Sequence, residues 1–164
     1  MKKIAMTAVL SLLLCGCGTG LFSLKKTVGK QVKEAAVREF YFTRSGSTNP
    51  PEFQRYRLYT ENGAHWFYHE TREGDHWPLT ESDITLSGKK QLSEEEWKTF
   101  YSLLEGGTVK DRSENLDSGG DGPWLYLYWN GDHDKTQEYS FASYGNERAF
   151  EEACQKMKTE MTEN

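Results

Sequence analysis

Alternation of apolar and polar residues dominates the middle of the chain. "VREFYFTR" (37–44) has the composition and period of a β-strand, and "SGSTNPPE" after it is a loop, because Pro50 and Pro51 exclude regular strand pairing. "FQRYRLYT" and "HWFYHETR" flank Glu61-Asn62-Gly63-Ala64, where Asn-Gly supplies the positive φ values of a tight hairpin turn. A turn at Glu73-Gly74-Asp75 leads to "HWPL", and "DITLSGKKQ" reads as a further short strand.

The period then changes. Ser93 and Glu96 have the spacing of a capping box, Trp97, Phe100, Tyr101 and Leu104 make a helical stripe, and Gly106 or Gly107 ends the helix. The loop "ENLDSGGDGPW" delivers the chain to "WLYLYWN", and a turn at Asn130-Gly131-Asp132 returns it as "TQEYSFAS". Asn146 is placed to cap a last helix with the stripe Phe150, Ala153, Cys154, Met157 and Met161. Strands, helix, strands, helix predict an α+β domain: an antiparallel sheet of about five to six strands with two helices packed on one face. Two sheet-then-helix blocks, 37–106 and 124–161, also leave room for a structural pseudo-repeat.

The first residues follow a different logic. "MKKIAMTAVLSLLL" places Lys2 and Lys3 before a charge-free stretch from Ile4 to Leu14, too short for a hydrocarbon core about 30 Å thick but suited to a secretory h-region. Leu14-Cys15-Gly16-Cys17 resembles the lipobox of bacterial prolipoproteins. The resemblance covers residues 1–17 and implies cleavage after Gly16 and a diacylglyceryl group on Cys17. Cys15 fits less well as the acceptor, because Leu14 would then stand where a small residue is needed. An ordinary signal peptide cut near Gly16 or Gly18 is the alternative. Two acyl chains meet the two-signal requirement for durable anchoring, and Lys25, Lys26, Lys30 and Lys33 lie where anionic head groups would attract them. The expected organisation is signal peptide 1–16, lipidated tether 17–36 and one domain over 37–164, on the extracytoplasmic face of a cell membrane.

Charge separates tether from body. From Glu39 onward 13 basic residues face 24 acidic ones, a net −11, which argues against nucleic acid as a partner and against contact with an anionic bilayer. With Cys17 alkylated, Cys154 is alone in the mature chain, and its place on a helical stripe marks it as a small buried hydrophobe rather than a reactive thiol.

Candidate chemistry is thin. "DSGG" around Ser118 matches part of the Gly-Asp-Ser-Gly-Gly-Pro run of trypsin-like proteases, but the chain is too short for two β-barrels and no histidine has the right context; Gly119, Gly120, Gly122 and Pro123 read as a turning loop. His65 and His69 have helical zinc spacing, yet on a strand they sit about 13 Å apart, too far for one ion. Asp132 and Asp134 resemble the start of an EF-hand loop but lack its glycine and its twelfth-position glutamate, and Asp117 and Asp121 are equally at home as solvated loop residues. His76 and His133 have no partner at ligand spacing. Neither a metal nor a cofactor is expected, and no catalytic residue is assigned.

One feature remains. On a strand, Trp124, Tyr126 and Tyr128 share a face, as do Trp66 and Tyr68, with His65, Phe67 and His69 opposite. If the helices cover one side of the sheet, these rings form a Tyr/Trp surface suited to a protein or sugar partner, unless both sides are buried. The expectation is therefore a non-enzymatic binding lipoprotein whose partner is an envelope protein or glycan. A small envelope hydrolase using Asp117, Asp121 and Glu138, or an inhibitor-type module, is the alternative.

Overall fold

The computed structural model describes residues 26–27, 37–111, 122–129 and 132–162. Leu14, Cys15, Gly16, Cys17, Asp117, Ser118 and Asp121 lie outside the described residues. The elements are β1 (Lys26–Thr27), β2 (Val37–Gly46), β3 (Glu52–Glu61), β4 (Ala64–Arg72), β5 (Ile84–Leu92), α1 (Glu94–Glu105), β6 (Thr108–Asp111), β7 (Gly122–Trp129), β8 (Asp132–Phe141) and α2 (Tyr144–Thr162). All strands join one antiparallel sheet in the order β1-β6-β8-β7-β2-β3-β4-β5.

The α+β class holds, with more strands than alternation alone indicates. β6 is four residues long and β1 two, too short for a period to show. β1 lies within the segment read as a tether, where Lys26 pairs with Val109 and Thr27 with Thr108. β5 covers the expected stretch shifted by one residue, and each residue from His65 to Thr71 on β4 has a partner on it. β2 is the seam between the two blocks, paired with β3 on one side and β7 on the other.

Local signals explain the punctuation. Asn62 and Gly63 adopt φ of 53° and 78°, so the β3–β4 hairpin closes on the turn its sequence demands. The Ser93 hydroxyl accepts the Glu96 amide, and the Glu96 carboxylate accepts the Ser93 amide. At α2 the expectation is corrected. The helix starts at Tyr144, with the Ser143 carbonyl accepting the Glu147 amide, while the Asn146 side chain instead accepts from the Thr108 amide at 3.5 Å.

One side of the sheet carries the core. Phe40, Phe42, Tyr56, Leu58, Phe67, Leu125 and Tyr139 meet Trp97, Phe100, Tyr101 and Leu104 of α1 and Phe150, Cys154 and Met157 of α2. Phe150 is the hub, its ring 5.8 Å from Phe42, 5.9 Å from Phe141 and 6.0 Å from Phe40. Each buried Phe contributes about 1.5–3 kcal/mol, more than any surface ion pair, so these rings decide which side the helices take. Polar clamps then fix the position of α2. Arg44 on β2 donates to Glu151 at 2.7 and 2.9 Å and to Glu147 at 2.9 Å, and Lys158 donates to Gln54 at 2.9 Å and Thr71 at 3.1 Å.

Candidate functional site

The face turned away from the helices is built by the alternate residues of the same strands, and the register sets them in three rows. One runs Tyr126, Tyr41, Arg57, Tyr68, Lys89 across β7, β2, β3, β4 and β5. The second runs Trp124, Thr43, Arg55, Glu70, Ser87, and the third Tyr128, Glu39, Tyr59, Trp66, Gln91. Trp124, Tyr126, Trp66 and Tyr68 are half-buried, and Tyr59 is buried. For Tyr128 only the backbone register is described.

The aromatic positions picked out from the sequence thus occupy one face, but as two separate groups on β7 and β4. What lies between them was missed: Glu39 and Tyr41 on β2, and Arg55, Arg57 and Tyr59 on β3. The signal was present in "EFYF" and "RYRLY", whose odd-numbered residues all point this way once the even-numbered Phe40, Phe42, Tyr56 and Leu58 are assigned to the core.

Cations and rings alternate across this face. Arg57 lies 4.2 Å from the Tyr59 ring centroid, Lys89 4.1 Å from Trp66 and 5.2 Å from Tyr59, and Arg72 4.2 Å from Phe53. Arg55 sits between Tyr41 and Phe53, at 5.4 and 5.2 Å. Such contacts contribute about 0.5–2 kcal/mol each, rising with desolvation. Tyr41 and Tyr126 meet edge-on at 5.9 Å.

Two buried carboxylates hold the cations in place. Glu39 accepts from Arg57; burial opposes the Arg57 charge, but the hydrogen bond and charge of Glu39 together raise its pKa above the ordinary value. Glu70 accepts from Arg72 at 2.6 and 3.0 Å and from the Tyr68 hydroxyl at 2.8 Å. Burial, then the bond to Glu70, raises the Tyr68 pKa, so its hydroxyl stays a donor. These bonds make Glu39 and Glu70 partners of guanidinium groups, placed to orient those side chains.

The remaining candidates sit elsewhere. His65 lies on the helix side, stacked on Trp97 at 4.2 Å and bonded to Thr60 at 2.8 Å. His69 is buried on that side too, and its Nδ1 has no hydrogen-bond partner among the described residues. Among the described residues no group of three or more His, Cys, Asp or Glu side chains is arranged to hold a metal ion. His76 lies 3.7 Å from Asp83. Cys154 is buried against the sheet, and burial pushes its thiol pKa well up. The side chains of Asp132, His133, Asp134 and Glu138 lie outside the described residues. Comparison of the chain with family models, with curated proteins and with solved structures finds no match.

Proposed function

We propose that this chain is a bacterial envelope lipoprotein, held by a diacylglyceryl group on Cys17 at the extracytoplasmic face of a membrane, whose domain binds an envelope protein or glycan without catalysing a reaction. The supporting observation is the layer of Tyr, Trp and Arg side chains on the helix-free side of the sheet. A sheet side built only to be solvated needs no such rings, whereas Tyr, Trp and Arg are the side chains that dominate binding energy at interfaces. Buried Glu39 and Glu70 orient the arginines before a partner arrives, which lowers the entropy cost of binding. The tether fits the same reading, because a lipid anchor confines the domain to the compartment where its partner would be met.

Site-specific photo-cross-linking in cells tests this. A photoreactive phenylalanine analogue replaces Tyr68 in the full-length chain, with the same probe at Lys156 on the exposed side of α2 as control. One dominant adduct, protein or glycan, formed from position 68 and not from 156 is the expected result. Equal adducts from both positions, or none from 68, would overturn the reading.

A further inference from the structure

The composition of the helix-free face narrows the class of partner, on the reading just given. Around Arg55 and Arg57 the described carboxylates are hidden and the cations are not, whereas Glu61 at the end of β3 is 56% exposed and lies 3.5 Å from Lys89. The side chains of Glu39 and Glu70 are 4% and 5% exposed, against 30% for Arg55, 38% for Arg57 and 42% for Lys89. A body carrying −11 from Glu39 onward therefore exposes more guanidinium than carboxylate around Arg55 and Arg57, among the described residues.

Arg55 stands out among these cations. It lies on a central strand, flanked by Tyr41 and Phe53, and Glu70 approaches it only at 3.6 Å. Among the described residues its guanidinium donates no hydrogen bond, and its Nε is buried without a partner. Arg57 and Arg72 each bond a carboxylate and Lys89 pairs with Glu61 at 3.5 Å, so the Nη donors of Arg55 are the accessible set that makes no hydrogen bond among the described residues. A guanidinium fork matches a carboxylate in two parallel bonds, and flanking rings exclude water that would weaken them. A neutral sugar fits less well on the β3–β5 part of this face, because two of the rings it would stack on carry cations: Lys89 lies over Trp66, and Arg57 over Tyr59.

We infer that the partner is a protein that docks an acidic segment on this face, with one side-chain carboxylate seated on Arg55 and Arg57 and Lys89 supporting its neighbours. The electrostatic attraction steers association, and the paired bonds to Arg55 slow dissociation.

Poly-L-glutamate is the probe, with polygalacturonate as an anionic glycan of the same charge sign, titrated into the purified full-length chain in neutral detergent. Binding is read by calorimetry and by the Nε–H resonance of Arg55. Saturable, salt-sensitive binding of poly-L-glutamate that shifts this resonance is expected. Arg55→Met should weaken it about tenfold, and Lys89→Gln, at the rim, less. A melting curve for each variant separates lost binding from lost fold. Absence of poly-L-glutamate binding, or binding unchanged in both variants because the tether lysines carry it, would overturn the inference. So would tighter binding of polygalacturonate that Arg55→Met abolishes, which makes the occupant a glycan. A photo-adduct from position 68 without poly-L-glutamate binding sinks the acidic partner and leaves the binding module standing; loss of both sinks the module as well.

Discussion

Burial of His69 makes the stability of the fold depend on pH. Its ring is 1% exposed, and its Nδ1 is buried without a hydrogen-bond partner among the described residues. Burial, then the Lys158 charge, lowers its pKa below the ordinary value of 6.5. The unfolded chain therefore takes up the proton first as pH falls. This contribution to stability is complete above pH 6.5 and is lost as pH drops through that value toward the lower folded pKa. Thermal melts at about pH 7.5 and about pH 5.5 should show a drop that His69→Gln reduces. An equal drop in both proteins would assign the pH dependence to groups other than His69. Nothing in "HWFYHE" foretells this. Two histidines four residues apart suggest a metal pair only on a helix, and it is the β4 register that sends one to stack on Trp97 and the other under α2.

At the scale of elements, α1 tests how far local chemistry governs the fold. Its box satisfies two backbone donors that no carbonyl within the helix can reach, so Ser93→Ala should cost about 1 kcal/mol in chemical denaturation. Ser102→Ala, on the exposed side of the same helix, should cost less than about 0.5 kcal/mol. Equal losses would mean that the cap is incidental. Both helices, the β3–β4 turn and the long strands were legible because each announces itself within a few residues. β1 and β6 were not, since a strand of two or four residues exists only through its partner. The start of α2 was misjudged for a related reason. Asn146 has good capping chemistry, but its side chain is drawn to the Thr108 amide, a group 38 positions away in the chain.

For the whole molecule, the proposed lipid anchor would hold the domain near a membrane while the contrast between basic residues before 37 and an acidic body would keep it off an anionic bilayer. If two acyl chains on Cys17 provide that anchor, high salt should leave the wild type in the membrane fraction, and Cys17→Ala should move it to the soluble fraction. A variant that still pellets after a salt wash would place the anchor elsewhere. The sequence alone determined the class of fold, the closing turn, the start of α1, which rests on a box, and the division of each strand into two sets of alternating side chains, since all of these depend on neighbours in the chain. It also marked Trp66, Tyr68, Trp124, Tyr126 and Tyr128 as residues of one kind. Only the tertiary structure decided that β2 and β3 lie between β4 and β7, which sets Arg55 and Arg57 among those rings and buries Glu39 and Glu70 beneath them. Strand order follows from which apolar faces pack together around Phe150, and that sum of contacts distant in the chain is written in no local pattern.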